Sequence, residues 1–193
     1  MISAVKLRDD LRCGVYHEKL AWLYSCGLAE AGNYAERYIH VLNGLDASFG
    51  EHTTASIFSA PGRTEIGGNH TDHQHGCVLA GAVNIDMIAA VGPNELGQIR
   101  LQSEGYDAIS VDLADLTKKI EEENTSAAIL RGSCAAFVDL GAKLSGLDIY
   151  VASNVPKGSG LGTSSILAAA CVKCTFDFLH YTIFNRDTHK LIF

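Results

Sequence analysis

Long apolar runs, proline and positive charge are what this sequence has least of. No stretch approaches the roughly 18 consecutive apolar residues that a membrane-spanning helix needs, and only three of its 193 residues are proline. Lys and Arg number 15 against 22 Asp and Glu, which gives a net charge of −7. Nonspecific nucleic-acid binding comes mainly from basic side chains that neutralise phosphates, so this charge excludes nucleic acid as a partner. We also expect no membrane partner, and any bound polyanion must be small and held locally.

The first ten residues carry four charges and no apolar segment, which does not fit a secretory leader. We therefore expect a cytoplasmic protein. Its six cysteines are scattered through apolar surroundings, which in an intracellular chain predicts buried thiols rather than a disulfide framework. The pair Cys171 and Cys174 has redox-motif spacing, but no second cysteine pair accompanies it, and core packing is the favoured interpretation.

The pattern of apolar residues predicts a mixed α/β or α+β fold with a sizeable core, since 47% of the residues are hydrophobic. Apolar residues recur at helical spacing from Tyr38 to Phe49, and Gly50 would end that helix. Further helices are predicted over residues 15–30, 126–144 and 163–178. Strands are predicted over residues 56–58, 77–83, 84–91, 99–101, 108–113 and 147–152. Pro61 and Gly62 predict a break after the first strand and a loop beyond it.

A glycine-rich loop is predicted between the last strand and the last helix. Gly158, Gly160 and Gly162 let backbone amides converge on one point, and the N-terminus of the following helix adds partial positive charge there. No acidic residue lies between Asp148 and Asp177, so this stretch of an acidic chain does not repel anions. The pattern favours a phosphate site, although a glycine turn with a helix cap would have the same composition. It matches neither the Walker spacing nor the dinucleotide fingerprint.

A second polar segment, residues 59–76, lies between two apolar stretches. Hydrogen-bonding side chains are dense in it: Arg63, Glu65, Asn69, His70, Asp72, His73 and His75. Such a density suits a polyhydroxylated ligand such as a sugar, because each hydroxyl both donates and accepts. Two alternatives stay open. His70, Asp72, His73 and His75 are potential metal ligands, and the segment could also be an exposed polar turn.

Together the two segments resemble the signatures of the GHMP small-molecule kinases, and the first resembles the sugar-binding signature of the galactokinases. That signature runs roughly G-R-x-N-L-I-G-E-H-T-D-Y, and the phosphate motif runs P-x-x-x-G-L-G-S-S-A-A. The matching residues are Gly62, Arg63, Gly68, His70, Thr71 and Asp72 in the first and Pro156, Gly160, Leu161, Gly162 and Ser164 in the second. Two motifs in the family's order are far more specific than either alone.

The resemblance implies ATP-dependent phosphorylation of the anomeric hydroxyl of a sugar, with Mg²⁺ accompanying the nucleotide. Arg63 would stabilise the transferring phosphoryl group or the sugar alkoxide, and Ser164 would be the Mg²⁺ ligand. The sugar would contact Glu65, Asn69, His70 and Asp72. The ATP phosphates would contact Lys157, Gly158, Ser159, Gly160, Leu161, Gly162, Thr163, Ser164 and Ser165. Catalysis by positioning and charge neutralisation suits phosphoryl transfer.

Three positions depart from the sugar signature. Glu65 replaces Asn, Asn69 replaces Glu and His73 replaces Tyr. A carboxylate only accepts hydrogen bonds whereas an amide also donates, so the preferred hydroxyl pattern can differ. Galactose is the first expected substrate. Fucose is the second, because residues 162–167 of the phosphate loop look more like fucose and heptose kinases. A sugar-binding relative without turnover is the third possibility.

The resemblance implies a two-layer α/β domain, a mixed sheet with helices on one face, over residues 34–179. Its sugar loop would be residues 59–76 and its phosphate loop residues 155–165. Residues 1–33 would be an N-terminal helical extension, and residues 180–193 a truncated or aberrant tail. The family's catalytic Asp and second domain lie well beyond the phosphate loop, yet only 28 residues follow Ser165. We therefore expect an N-terminal portion that turns over little or nothing; its oligomeric state is open.

Overall fold

The structure, a computed structural model, describes residues 2–68, 75–156, 158–161 and 163–178. In chain order its elements are β1 (Ile2–Ser3), α1 (Ala4–Arg12), α2 (His17–Tyr24), α3 (Leu28–Phe49), β2 (Thr54–Gly67), β3 (Leu79–Pro93), β4 (Gln98–Ser103), β5 (Ile109–Asp112), a 3₁₀ turn (Ile120–Glu122), α4 (Ser126–Asp139), β6 (Leu147–Ser153) and α5 (Thr163–Phe178). Within these described residues no helix is long and apolar enough to cross a membrane.

The six strands form one mixed sheet in the order β1-β2-β3-β6-β4-β5. Every neighbouring pair is antiparallel except β4 and β6, which run parallel with Leu101 opposite Ile149. The first five residues of central strand β6 are buried, and all but Asp148 are apolar, because strands cover both its edges and helices cover both its faces. The predicted mixed sheet and α/β class are confirmed.

Helices cover both faces of the sheet. Met87, Ala89 and Val91 on β3 point to the core under α4 and α5, whereas Ile88 and Ala90 point to the core under α1, α2 and α3. Side chains on a strand alternate between faces, so a strand that is apolar at every position requires cover on both. The expectation of two layers with helices on one face is therefore wrong for this chain, because the N-terminal helices form a third layer.

Helix α3 is longer than its sequence pattern predicted. It ends at Phe49 as expected, where Gly50 adopts φ of +93° and its amide donates to the Asp46 carbonyl (2.9 Å). It begins at Leu28 and runs without interruption through residues 33 and 34. Its buried side chains share one core cluster with those of α1 and α2. The structure thus joins the predicted N-terminal extension to the rest of the domain by a continuous helix.

The predicted break at Pro61 is wrong, because β2 continues to Gly67. Antiparallel pairing with β3 includes Pro61, opposite Asp86, and shifts register between Pro61 and Arg63. Beyond Ala55 no described strand pairs with the other edge of β2, since β1 meets it only at Thr54 and Ala55. Proline is tolerated at such an edge. Likewise, the two strands predicted over residues 77–91 are one strand, β3.

The helix predicted over residues 15–30 is divided between α2 and α3, because Ser25 adopts φ of +51° and ends α2 at Tyr24. Other elements confirm their predictions except at the end of α4. Strands β4, β5 and β6 and helix α5 lie where the apolar patterns placed them. Helix α4 ends at Asp139, although its apolar spacing continues to residue 144. Gly141 adopts φ of +85° and its amide donates to the Val138 carbonyl at 2.8 Å. A left-handed glycine at this position ends the helix.

The six cysteines, all within the described ranges, form no disulfide. Cys134, Cys171 and Cys174 are buried, and burial raises the pKa of the Cys134 and Cys171 thiols to about 12. Core packing of Cys171 and Cys174 is therefore confirmed. Cys13 and Cys77 are exposed, so the prediction of buried thiols is wrong for those two.

A buried carboxylate, Asp148, anchors the first residues of β6. It accepts two hydrogen bonds from the Arg100 guanidinium (2.6 and 2.7 Å), one from Asn94 (2.7 Å) and one from His52 (3.0 Å). Burial by itself would raise the pKa of Asp148, but the hydrogen bonds from Arg100, His52 and Asn94 outweigh it and hold that pKa below its usual value of 3.8. Ionised Asp148 thus stabilises the fold.

Replacing Asp148 by Asn should make stability less dependent on pH. A carboxyl group whose pKa is lowered by folding contributes fully above its unfolded pKa and loses that contribution as pH falls through the folded value. Near pH 7 we expect Asp148→Asn to lower the free energy of unfolding by about 2 kcal/mol, and the gap to wild type should shrink below pH 4. Urea unfolding between pH 7 and pH 3 measures it. Asp9→Asn, which removes an exposed ion pair with Arg12, should change stability by less than about 0.5 kcal/mol.

Candidate active site

A cleft of about 1120 Å³ opens where the parallel strands β4 and β6 end, beside β2 and β3 and near the N-terminus of α5. Arg63 of β2 lines one side. Residues of the glycine-rich loop and the start of α5 line another: Gly158, Gly160, Thr163, Ser164 and Ser165. The structure therefore brings together residues about one hundred positions apart in the chain, one cationic and the others rich in amides and hydroxyls.

The glycine-rich loop has the backbone geometry of an anion site. Gly158 and Gly160 adopt φ of +75° and +74°, a region that other residues rarely occupy. No heavy atom lies within 4 Å of the position that a Cβ would take at either glycine, so the space beside them is open. The Ser159 amide donates to the Pro156 carbonyl (3.2 Å), which closes a turn. Helix α5 begins at Thr163, so its N-terminal amides and positive dipole end face this loop.

Two hydrogen bonds hold Arg63 in place beside the cleft. Its guanidinium donates to the Glu65 carboxylate at 2.7 Å, and its main-chain amide donates to the Leu161 carbonyl in the glycine-rich loop at 3.2 Å. The Arg63 side chain is 42% exposed whereas that of Glu65 is 14% exposed. The guanidinium therefore stays accessible at the cleft while Glu65 orients it. The role predicted for Glu65 as a sugar ligand stays a prediction.

The predicted site residues divide into those that the structure describes and those outside its described residues. Described are Arg63, Glu65, Gly158, Ser159, Gly160, Leu161, Thr163, Ser164 and Ser165. Asn69, His70, Asp72, Lys157 and Gly162 lie outside the described residues. The proposed metal alternative also falls mostly there, since of its four candidate ligands only His75 is described. Across the described part of the chain no group of three His, Cys, Asp or Glu side chains could hold a metal ion.

A further part of the cleft wall was not predicted from the sequence. It includes Tyr106, Glu122 and Thr125, which come from the segment between β5 and α4 and from the turn after β4. Glu122 accepts two hydrogen bonds of 2.7 Å from the buried Arg131 of α4, which lower the pKa of its carboxyl. This segment has no glycine pattern or apolar periodicity, so nothing in the sequence indicated that it borders the cleft.

Comparison with known proteins gives the same two segments separate matches. The galactokinase galactose-binding signature matches residues 46–93, and the GHMP kinase N-terminal domain matches residues 124–192. Galactokinase from Streptomyces coelicolor is 35% identical over 143 residues, which cover 73% of this chain and 34% of that protein. Galactokinase from Clostridium tetani is 31% identical over 120 residues, 62% of this chain and 30% of that protein.

The chain belongs to the GHMP kinase family. The resemblance expected from the two motifs is thereby confirmed, and within the family it extends to the galactokinase group. The chain spans about a third of the length of these curated relatives.

Solved structures of GHMP kinases share the fold. Lactococcus lactis galactokinase complexed with galactose superposes with a TM-score of 0.69 at 23% identity and covers 78% of this chain and 39% of that one. Methanococcus jannaschii mevalonate kinase gives a TM-score of 0.62 at 14% identity, with 74% of this chain and 46% of that one covered. At these identities the likeness shows the GHMP kinase fold and nothing finer.

Proposed function

We propose that this chain is the part of an ATP-dependent sugar 1-kinase that binds the sugar and the ATP phosphates, with galactose as the sugar. The observation that carries the proposal is that Arg63 and the glycine-rich loop line one cleft and are joined by the hydrogen bond from the Arg63 amide to the Leu161 carbonyl. The galactose-binding signature over residues 46–93 and the galactokinase relatives support galactose.

The reaction joins the anomeric oxygen of the sugar to the γ-phosphorus of ATP, breaks the bond between that phosphorus and the β–γ bridging oxygen, and releases ADP and the proton of the sugar hydroxyl. Negative charge is spread over the transferring phosphoryl group in the transition state. Arg63 neutralises part of that charge, and amides of the glycine-rich loop and of α5 hold the ATP phosphates. Gly158 and Gly160 fit this role, because both have positive φ and open space beside them that a Cβ would occupy in another residue.

Magnesium would reach this site with the nucleotide and supply further neutralisation of phosphate charge. Ser164, in the first turn of α5 and lining the cleft, is the residue that would contact it. Asn69, His70 and Asp72 would hold sugar hydroxyls in the segment that follows β2, as the signature match supports. Lys157 and Gly162 would complete the phosphate loop.

Fucose is the second candidate substrate. Residues 162–167 read Gly-Thr-Ser-Ser-Ile-Leu, which looks more like the phosphate loops of fucose and heptose kinases. Sugar titrations in the presence of a non-hydrolysable ATP analogue separate the two sugars, since the preferred one should bind more tightly.

Nucleotide binding by the chain itself is the direct test. We expect MgATP to bind in calorimetry and Gly160→Ala to weaken binding about tenfold, because a Cβ at φ of +74° distorts the phosphate loop. Gly97→Ala is the matched control, since Gly97 adopts φ of +67° with equally open surroundings but lies in the turn between β3 and β4. It should cost comparable stability and leave MgATP affinity unchanged. Absence of any MgATP binding by wild type would refute the proposed function.

A further inference from the structure

A second buried carboxylate, Asp86 of β3, lies at the end of the sheet that carries the cleft. It accepts hydrogen bonds from side chains of three other elements: the Tyr24 hydroxyl of α2 (2.5 Å), the Ser59 hydroxyl of β2 (2.5 Å) and the Arg37 guanidinium of α3 (2.7 Å). Asp86 is 2% exposed. Both of its carboxylate oxygens are therefore used, and one residue ties two helices of the third layer to two strands.

The Tyr24 hydroxyl donates its one proton to Asp86, so in its contact with Tyr38 it accepts. Tyr24 and Tyr38 hydroxyls lie 2.9 Å apart. Burial, followed by the hydrogen bond to Asp86, raises the pKa of Tyr24, and burial raises the pKa of Tyr38. The Asp86 carboxylate is then matched by the single positive charge of Arg37, whose side chain remains 23% exposed.

The same two residues also contact the start of the glycine-rich loop. The Asn154 amide donates to the Asp86 carbonyl at 3.0 Å. With the Asn154 side-chain amide oriented to pair donors with acceptors, its oxygen accepts from Nε and Nη2 of Arg37 at 3.1 and 3.3 Å. Asn154 lies between Ser153 and Val155, both of which line the cleft, and four residues before Gly158. Ser59 lies four residues before Arg63 on β2.

We propose that Arg37 is a positioning residue for the phosphate loop, acting through Asp86 and Asn154. Its guanidinium spans α3, β3 and the first residue after β6, so it sets where the chain leaves the sheet before Gly158. Arg37 does not line the cleft and touches no reacting group. The assignment rests on the proposed function only in naming the loop's ligand; the contacts themselves are independent of it.

The Asp148 cluster provides an internal comparison. It too pairs a buried carboxylate with an arginine, Arg100, and it holds the same strand β6. Asp148 is the second residue of β6 whereas Asn154 follows the last, so the two clusters lie at opposite ends of that strand. None of the Asp148 partners lines the cleft. If Arg37 only stabilised the fold, replacing it should therefore have the same kind of effect on the sheet as replacing Arg100.

Amide hydrogen exchange by NMR on the whole chain tests the assignment without any ligand. The readout is the exchange of the Asn154, Val155, Ser159 and Leu161 amides, each of which donates a hydrogen bond, relative to amides in the β3–β6 pairing. We expect Arg37→Gln to accelerate exchange in the loop about tenfold beyond any change in β3. Arg100→Gln should accelerate exchange in β4 and β6 without this selective effect on the loop.

Asn154→Ala provides a second variant that should fold, because Asn154 is exposed. It should accelerate exchange of the same amides severalfold. The double variant should exchange little faster than Arg37→Gln, since both substitutions remove the contact between Arg37 and Asn154. Equal acceleration throughout the sheet in Arg37→Gln, or unprotected loop amides in wild type, would overturn the assignment. MgATP titration of the same samples separates the two proposals. If wild type binds no nucleotide, the proposed function fails while exchange still decides the role of Arg37.

Discussion

Arg63→Ala is expected to lower kcat roughly 10²–10³-fold while raising KM much less. The reason is that its guanidinium faces the cleft beside the glycine-rich loop, where charge builds up in the transition state rather than in the bound substrates. The measurement is a steady-state assay of sugar-dependent ADP release. The assay uses a fusion of this chain to the C-terminal part of a galactokinase relative, which the chain does not cover.

Two comparison variants make the Arg63 result specific. Arg63→Lys keeps the charge but loses the planar, two-pronged donor, so its kcat should fall between wild type and Arg63→Ala. Arg12→Ala removes an exposed arginine of α1 and should leave kcat and KM unchanged. If Arg63→Ala instead raised KM with kcat intact, Arg63 would contribute to ground-state binding alone and its predicted catalytic role would be wrong.

Gly44→Ala is expected to destabilise the fold by about 3 kcal/mol, at the upper end of what overpacking costs. Gly44 lies in the interior of α3, where Ala would normally be favoured by up to about 1 kcal/mol. A methyl group there would overlap three atoms of the Tyr150 ring, which is itself buried against α3 on strand β6. The melting temperature should fall by roughly 6–12 °C for a chain of this size.

Gly132→Ala is the matched control for Gly44. Gly132 is also inside a helix, α4, but it is exposed and has nothing within 4 Å of the position that an alanine methyl group would take. We expect this variant to gain up to about 1 kcal/mol of stability. Thermal unfolding of both variants by circular dichroism makes the comparison. A Gly44→Ala protein at least as stable as wild type would mean that the helix and the ring separate easily, contrary to their packing.

Elements with a strong local signal were predicted well. Helix α5 and strands β4 and β6 have apolar patterns of the right period and clear turn residues at their ends, and the structure confirms them. Predictions of where an element ends failed at positions where long-range strand pairing or a backbone angle decided the boundary. Pro61 looked like a break but pairs with Asp86 in a strand that continues past a register shift. Gly141 looked like part of a helix but adopts a left-handed conformation and ends it.

The candidate site was predicted only in part for the same reason. Arg63 and the loop containing Gly158 and Gly160 could be selected because residue types with a clear chemistry recur at short spacing. The Asp86 cluster could not be found that way, since Arg37, Ser59 and Asn154 are far apart in the chain and each is unremarkable in its own segment. Pairing of β2 with β3 and of β3 with β6, together with the packing of α3 against the sheet, brings them to one residue, Asp86.

The sequence by itself determined the family, the order of its two motifs and the scarcity of basic and long apolar segments, because these are properties of residue type and short spacing. Tertiary structure alone decided that Arg63 and the glycine-rich loop share a cleft, that helices cover both faces of the sheet and that Gly44 meets Tyr150. Those features depend on contacts between distant segments. Such contacts form when the strands pair and bury their apolar faces, and no local pattern encodes which partners they bring together.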